Sequence, residues 1–324
     1  MKTSESIYLD IRGLRYHVRS WGRQGAPKLF MLHGWMDASA SFQFFVDALK
    51  GDWHVLAPDL RGYGQTQRQG SDTYWFPDYV VDLDCILEHF QPESPVNLVA
   101  HSFGGNIACI YSGSRPQRIA RLVNIDAFGP RAEGVKPARL EFKEQAPAEE
   151  TQVEVPPKRH AEWLDRIKKG SKFRDFDAFA DLEKRLAREH PRVTPERIAF
   201  IARAWSRVNA QGRVELLADP ACASNFSMQF SSRPDDAMAC WRAITAPVHM
   251  LLARQGGVIE RSDDLSDGRM EQRLANLRTA DISWVEDCGH MVHLERPEAL
   301  AARIDAFFPH VHPASPANTA AQPS

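Results

Sequence analysis

The stretch Pro95-Val-Asn-Leu-Val-Ala-His-Ser102-Phe-Gly-Gly-Asn-Ile-Ala-Cys109 joins an apolar run of strand type to a run of helix type, with a serine at the junction. A strand, a sharp turn and a helix in this order form a nucleophile elbow, in which the serine is held in a strained conformation at the strand tip. The residues two before and two after this serine must then be very small. Ala100 and Gly104 meet this requirement, although Ala100 is a mild departure from the pattern G-x-S-x-G.

A simpler interpretation of the same stretch is a serine that caps an ordinary helix after an ordinary buried strand. A helix that begins at Ser102 would also direct its N-terminal N–H groups and the positive end of its dipole at an oxyanion formed there. The pentapeptide alone does not decide between these interpretations, because short motifs often match by chance. The decision depends on what surrounds the elbow.

Composition limits the class of protein. A chain of 324 residues fits one large domain or a domain with an insertion. Charged residues make up 25% and the net charge is −2, which argues against nucleic acid or an anionic membrane surface as a partner. Five widely spaced cysteines without a C-x-x-C pair predict free thiols and a cytoplasmic location. No apolar run of signal-peptide or membrane-span type is found, and the oligomeric state stays open.

Apolar runs of strand length alternate with helix patterns on both sides of the elbow. Two alternating runs around Gly13 predict an antiparallel hairpin at a sheet edge. Further strands are predicted at 29–33, 53–57, 95–101, 122–126, 247–252 and 282–285, and helices at 38–49, 79–90, around 274–277 and from Pro297. This alternation predicts an α/β protein with a mostly parallel sheet, helices on both faces, and a site at the carboxyl ends of the strands.

The stretch 131–236 interrupts the alternation. It is charged, shows no clear strand, and predicts helices at 161–168, at 176–189 and from Thr194-Pro195. We interpret it as a helical cap inserted into a core of residues 1–130 and 237–309. The tail 310–324, rich in Pro, Ala, Ser and Asn, is predicted to be disordered.

The cap stretch carries many large apolar side chains. They are Trp163, Phe173, Phe176, Phe179, Phe200, Trp205, Phe226 and Phe230. Most of them are expected to pack the cap against the sheet. A few are expected to line a pocket, which predicts a small-molecule substrate with an apolar acyl or alkyl group.

Ser102 requires a base within hydrogen-bond reach, because a serine hydroxyl is a poor nucleophile at neutral pH. His290 is the candidate, since it follows the predicted strand 282–285 in Asp287-Cys-Gly-His290. His293 lies nearer the last helix and is the weaker candidate. The ordinary alternative for His290 is an exposed loop histidine.

A second strand end predicts an oxyanion hole. His33-Gly34-Trp35 follows the strand at 29–33, so the backbone N–H of Trp35 is expected to join that of Phe103 in binding a tetrahedral intermediate. The side chain of His33 is expected to be structural.

Four segments carry a resemblance to a known family. They are His33-Gly34-Trp35, Asp59-Leu-Arg-Gly-Tyr-Gly64, Ala100-His-Ser-Phe-Gly-Gly105 and Gly289-His290. Their order and places resemble the α/β-hydrolase family over residues 5–130 and 240–308. The resemblance implies an eight-stranded, mostly parallel sheet, a helical cap over the site, and cofactor-free hydrolysis through an acyl-enzyme on Ser102.

Asp37 completes the His-Gly-Trp-x-Asp loop of one group of serine hydrolases that the chain resembles. Carboxylic esters are the expected substrates, with thioesters or carbon–carbon bonds as alternatives that the motifs leave open. Epoxide hydrolases and haloalkane dehalogenases of this fold carry an aspartate at the elbow, so Ser102 argues against both. A non-catalytic binding protein on the same fold would not need Ser102 and His290 together.

The acid expected to complete a catalytic triad with Ser102 and His290 is missing from the place where the family usually has it. The family usually takes it from the loop after the strand 247–252, but this chain has Ala253-Arg-Gln-Gly-Gly257 there. Asp126, which closes the strand at 122–126, is the preferred candidate to orient His290. The remaining candidates are Glu260, Asp263 and Asp287.

No metal is expected in the site. The pairs His290-x-x-His293 and His310-x-His312 each lack a third ligand in the sequence pattern. Asp37 and Asp59 are expected to be carboxylates that stabilise loops.

Overall fold

The computed structural model describes residues 1–129, 156–224, 234–255 and 269–308. The strands are β1 (Ser4–Ile11), β2 (Leu14–Trp21), β3 (Lys28–Leu32), β4 (His54–Pro58), β5 (Val96–His101), β6 (Ile119–Ile125), β7 (Ser206–Val208), β8 (Val214–Leu216), β9 (Val248–Ala253) and β10 (Ala280–Val285). Eight of these strands form one sheet in the order β1-β2-β4-β3-β5-β6-β9-β10. The α/β fold class and the eight-stranded sheet are thereby confirmed.

The sheet is parallel from β4 to β10 and antiparallel at the edge formed by β1 and β2. The predicted edge hairpin is present, and its turn places Arg12 and Gly13 at positive φ values of 50° and 78°. All carboxyl ends of the parallel strands therefore meet at one edge of the sheet, where a site is expected.

The helices fill the connections between strands. They are α1 (Gln43–Ala48), α2 (Phe76–Phe90), α3 (Phe103–Ser114), α4 (Pro156–Lys169), α5 (Phe179–Glu189), α6 (Pro195–Ala204), α7 (Pro220–Ser224), α8 (Pro234–Ala243), α9 (Arg269–Leu274), α10 (Val292–Glu295) and α11 (Pro297–Phe307), with 3₁₀ turns at Ser39–Phe42 and Pro116–Arg118. The predicted helix at 38–49 is thus divided into a 3₁₀ turn and α1. Within the described residues, no helix is long and apolar enough to cross a membrane.

Two apolar clusters cover the two faces of the sheet. In β3, Leu29 and Met31 pack in the cluster that contains α1 and α11, while Phe30 and Leu32 pack in the cluster that contains α2 and α3. Successive side chains of a strand point to opposite faces, so a strand buried on both sides is apolar throughout. This explains why the central strands are continuous apolar runs in the sequence.

The described part of the predicted cap, residues 156–224, contains four helices and one short hairpin. The expectation that this region lacks strands is wrong, because β7 and β8 pair antiparallel. Three-residue strands are too short to show an alternating pattern. The predicted helix at 176–189 begins only at Phe179, since Phe176 forms an isolated β-bridge with Val214.

Residues of the predicted cap form their own apolar cluster, in which Leu182, Ile198 and Ile201 are buried. The large apolar side chains of this region are predicted to pack the cap against the sheet, and four of them pack against this cluster: Phe176, Phe179, Phe200 and Trp205. The cluster includes Met291 and Leu294, and Phe44 packs against it. It therefore joins residues of the predicted cap to the region around α10. Phe226, Phe230, the first residues of the predicted cap and the tail 310–324 lie outside the described residues.

Candidate active site

Ser102 lies at a sharp turn between β5 and α3. Its φ of 52° and ψ of −113° are unusual for a residue with a side chain, and such strain is common at functional positions. A Cβ atom at Gly104 would lie 2.6 Å from the carbonyl oxygen of His33 and 2.7 Å from that of Leu32. Only glycine fits there, which gives the physical reason for the small residue two positions after the serine.

Asp126 holds the equivalent position on the neighbouring strand. In the parallel pair of β5 and β6, His101 is opposite Ile125, so Ser102 and Asp126 both follow at the same level of the sheet. Asp126 also has a positive φ, 50°, and its backbone N–H donates to the carbonyl of Leu251 at 2.8 Å. The strand register therefore brings two residues 24 positions apart to one edge.

His290 joins these two side chains. Its Nδ1 lies 2.6 Å from Asp126 Oδ2 and its Nε2 lies 2.8 Å from Ser102 Oγ. Because a carboxylate accepts hydrogen bonds, Nδ1 carries the proton, and the Nε2 lone pair then faces the serine hydroxyl. The arrangement can take a proton from Ser102 while Asp126 holds the ring in place.

The acidic partner of His290 is well separated from solvent. The Asp126 side chain is 0% exposed and that of His290 is 24% exposed. The second Asp126 oxygen, Oδ1, accepts the N–H of Ala253 at 3.1 Å. Of the other acidic candidates, Asp287 is exposed, and Glu260 and Asp263 lie outside the described residues.

The loop after β3 lies directly against the elbow. A Cβ atom at Gly34 would lie 3.2 Å from Ser102 Cβ. His33 is buried and fixes this loop: its Nδ1–H donates to the carbonyl of Gly34 at 2.7 Å, and its Nε2 accepts the N–H of Leu60 at 2.9 Å. The sequence interpretation of His33 as a structural histidine agrees with these contacts. Trp35 follows this loop and Phe103 begins α3.

Asp59 stabilises the loops at this end of the sheet. Its carboxylate accepts the N–H groups of Ser39 and Gln65, each at 2.8 Å, and contacts His17 Nδ1 at 2.7 Å. Burial opposes its ionisation, but these hydrogen bonds and the neighbouring histidines lower the pKa of Asp59 to about 2. Asp37 acts similarly on its own loop, where its Oδ1 accepts the Ala38 N–H at 2.7 Å and the Ser41 hydroxyl.

Sequence reasoning missed one contact of the site. His101, which precedes Ser102, donates through Nε2 to the carbonyl oxygen of His290 at 2.8 Å. Burial and two neighbouring histidines, His293 and His290, lower the pKa of His101, so it stays neutral. Its place inside the elbow motif was the available signal.

A group suited to metal binding lies beside these residues. Among residues 1–129, 156–224, 234–255 and 269–308, Asp37, His101 and His293 place their ligand atoms within 4.8 Å of one another. His293 is a member of this group and His290 is not. The sequence pattern could not reveal the group, because its members are separated by 64 and 192 positions.

Comparison with known proteins identifies the family of this chain. A serine hydrolase-like protein of Danio rerio is 26% identical over 315 residues, which cover 93% of this chain and 86% of that protein. Epoxide hydrolase 3 of Siraitia grosvenorii is 34% identical over 134 residues, 40% of this chain and 42% of that protein. The solved structure of the thioesterase domain from the curacin biosynthetic pathway superposes with a TM-score of 0.78 at 21% identity, over 93% of this chain and 99% of that one.

The epoxide hydrolase match is local, and the elbow of the present chain carries serine. The likeness to the thioesterase domain shows the shared fold. The model of the alpha/beta hydrolase family matches residues 29–303. This chain therefore belongs to the alpha/beta hydrolase family of hydrolytic enzymes.

Proposed function

We propose that this chain is a serine hydrolase that cleaves a carboxylic ester through an acyl-enzyme on Ser102. The observation that carries the proposal is the continuous path from Asp126 through His290 to Ser102, with contacts of 2.6 and 2.8 Å. The roles are general base for His290 and orienting acid for Asp126.

In the first half of the reaction, Ser102 Oγ attacks the ester carbonyl carbon while its proton moves to His290 Nε2. The tetrahedral intermediate collapses, the bond to the leaving oxygen breaks, and His290 returns the proton to the departing alcohol. Water then attacks the acyl-enzyme with His290 as base again, which releases the acid and restores the Ser102 hydroxyl.

The backbone N–H groups of Trp35 and Phe103 are proposed to bind the negative oxygen of both intermediates. Support comes from the close approach of Gly34 to Ser102 and from the place of Phe103 at the N-terminus of α3. The first N–H groups of a helix point out of its N-terminus and favour negative charge. One donor of this kind is worth about 3–4 kcal/mol in the transition state.

An apolar acyl or alkyl group is the proposed substrate feature. Three partly buried side chains pack on the apolar cluster that contains α2 and α3: Trp35, Met36 and Phe173. The first two directly follow Gly34. The Trp35 indole N–H also donates to the carbonyl of Cys222 in α7, at 3.3 Å. Trp35 and Met36 thus directly follow the glycine that approaches Ser102, which supports a substrate with an apolar portion.

Labelling with a fluorophosphonate tests the proposed nucleophile. The folded protein should form one adduct, and peptide mapping should place it on Ser102. Ser102→Ala and heat-denatured protein are the controls, and neither should react. Absence of an adduct on Ser102 in the folded protein would support a non-catalytic binding function instead.

A series of p-nitrophenyl esters of increasing chain length tests the substrate proposal. The specificity constant kcat/KM should rise from acetate to medium-length acyl chains, because each added CH₂ buried in an apolar pocket contributes about 0.8 kcal/mol. Thioester analogues of the same acyl groups should be compared in parallel. A strict preference for charged or sugar-like esters would contradict the proposal.

A cytoplasmic location is also proposed. All five cysteines are free thiols in the structure, three of them buried. Secreted proteins commonly use cysteines in disulfides, so free thiols support a reducing compartment. Recovery of the protein mainly outside the cytoplasm after cell fractionation would contradict this location.

A further inference from the structure

A second polar cluster lies behind the proposed catalytic residues. It consists of Asp37, His101 and His293, which are 4%, 1% and 0% exposed. They come from the loop after β3, the end of β5 and α10. The proposed reaction uses none of these three side chains directly, and yet each is buried with polar atoms facing the other two.

Several of these buried atoms have no hydrogen-bond partner. They are Asp37 Oδ2, His101 Nδ1, and His293 Nδ1 and Nε2. Asp37 Oδ2 and His293 Nε2 face each other at 3.4 Å, a contact of ion-pair type that is longer than a good hydrogen bond. Leaving a buried polar atom unpaired costs about 1–3 kcal/mol, so a group of four in one place requires an explanation. A bound ion that accepts one lone pair from the carboxylate and one from each imidazole would supply a partner for three of the four atoms.

The remaining polar atoms of Asp37 and His101 are held as metal ligands usually are. His101 donates its Nε2–H to the carbonyl of His290 at 2.8 Å, which leaves a lone pair on Nδ1 directed elsewhere. Asp37 Oδ1 accepts the Ala38 N–H at 2.7 Å and the Ser41 hydroxyl, which leaves Oδ2 available. Ligating imidazoles typically donate their other N–H to a carbonyl or carboxylate, and ligating carboxylates are hydrogen-bonded in turn.

The ligand atoms of the three residues lie within 4.8 Å of one another, and the spacing of one pair matches that around a small divalent ion. Asp37 Oδ2 and His293 Nε2 are 3.4 Å apart. Zinc bonds of about 2.1 Å at tetrahedral angles place neighbouring ligand atoms about 3.4 Å apart. Two imidazoles and one carboxylate form a donor set that suits Zn²⁺, and also Co²⁺, Ni²⁺ and Cu²⁺.

We propose that Asp37, His101 and His293 form a binding site for a divalent transition-metal ion, Zn²⁺ in the first place. The negative charge of Asp37 offsets part of the charge of the ion in this buried position. The competing arrangement is a direct hydrogen bond between Asp37 and His293 in a cluster that binds no metal. The experiment must distinguish it from the metal site.

Metal binding at this site is expected to inhibit the enzyme, a consequence that rests on the proposed function. Each ligand is close in sequence to one proposed catalytic element: Asp37 to Trp35, His101 to Ser102, and His293 to His290. The rings of His101 and His290 have centroids 4.8 Å apart. An ion bound to His101 is also coupled to the position of His290, because the carbonyl of His290 accepts the His101 Nε2–H at 2.8 Å.

Titration of the full-length, EDTA-stripped protein with Zn²⁺ by calorimetry tests the site. The expected stoichiometry is one high-affinity ion. Asp37→Asn keeps a side-chain oxygen for the Ala38 N–H but removes the charged ligand, and His293→Gln removes one imidazole. Each change should weaken Zn²⁺ binding by about tenfold or more. Circular dichroism of each variant establishes that it is folded.

The matched control is His310→Ala with His312→Ala, which removes the other histidine pair of the chain and should leave Zn²⁺ affinity unchanged. Titration with Co²⁺ gives a second readout independent of activity, because a tetrahedral site produces intense visible absorption that Asp37→Asn should abolish.

The proposed site would be overturned if the protein bound no Zn²⁺. It would also be overturned if folded Asp37→Asn and His293→Gln kept full affinity, or if the His310/His312 variant lost affinity. Fluorophosphonate labelling of the metal-free protein separately tests the proposed function. Binding with unchanged ester hydrolysis in a protein that labels normally would overturn the inhibitory role and leave the site standing.

Discussion

Two carboxylate–histidine pairs lie side by side at one end of the sheet, and they differ in solvent access and in the third group that each contacts. The Asp126–His290 pair has a contact of 2.6 Å, a partly exposed imidazole, and Ser102 on the second ring nitrogen. The Asp37–His293 pair has a contact of 3.4 Å and both side chains are buried. Because access and the third partner differ, we propose a catalytic use for the first pair and a non-catalytic one for the second.

The largest expected difference between the pairs concerns the histidines. In metal-free buffer, His290→Gln should lower kcat/KM for a p-nitrophenyl ester by at least about a thousandfold, because it removes the general base. His293→Gln should lower it by less than about tenfold. Steady-state kinetics on both folded variants measures the ratio, and equal losses would erase the distinction drawn between the two pairs.

The same order is expected for the two carboxylates: loss of the Asp126 carboxylate should lower activity more than loss of the Asp37 carboxylate. Asp126→Asn should lower kcat by about a hundredfold or more, because the amide no longer holds His290 in the required tautomer. Asp37→Asn should cost less than about tenfold. Glu260→Gln and Asp263→Asn are the controls for the alternative acidic loop and should do little. Substantial activity in Asp126→Asn, together with loss of activity in either control variant, would show that the loop of Glu260 and Asp263 supplies the orienting acid.

A third carboxylate–histidine pair, His17 with Asp59, has no proposed catalytic role and serves as a structural reference for the other two pairs. The pKa of Asp59 is about 2 in the folded protein, below the ordinary value of about 3.9. Its carboxylate therefore stabilises the fold above about pH 4, and this contribution, roughly 2 kcal/mol, is lost as the pH falls towards 2.

Urea unfolding between pH 5 and pH 2.5 measures this effect. The difference in unfolding free energy between the wild type and Asp59→Asn should be largest at pH 5 and shrink as the medium becomes more acidic. A difference that stays constant over this range would show that Asp59 keeps its ordinary pKa.

The smallest expected effect concerns the hydrogen bonds that link Trp205, in the predicted cap, to the pair of Asp37 and His293. The Trp205 indole N–H donates to Ser41 Oγ at 2.9 Å, and Ser41 in turn donates to Asp37. Trp205→Phe removes one hydrogen bond, worth about 1 kcal/mol, so the Tm should fall by about 2 °C. Differential scanning calorimetry measures the shift. A rise in Tm, or a loss of ester hydrolysis above about twofold, would contradict this peripheral role.

Local sequence patterns predicted most of the elements, because their causes are local. The two-sided burial of the central strands produced continuous apolar runs, and Thr194 before Pro195 marked the start of α6, where its hydroxyl accepts the Arg197 N–H. The hairpin of β7 and β8 escaped prediction because its strands have three residues each. Its pairing depends on contacts such as Phe176 with Val214, which are not local in the sequence.

The sequence by itself determined the chemistry that the strand ends offer: a serine at a turn that admits only small neighbours, a histidine after a late strand, and a missing acid in the usual loop. Only the tertiary structure decided which groups meet. Parallel pairing of β5 with β6 sets Asp126 level with Ser102, and the approach of His290 selects it over Asp287 as the closest partner. The same packing assembled Asp37, His101 and His293, since distances between groups far apart in the chain depend on strand register and burial, which no local pattern encodes.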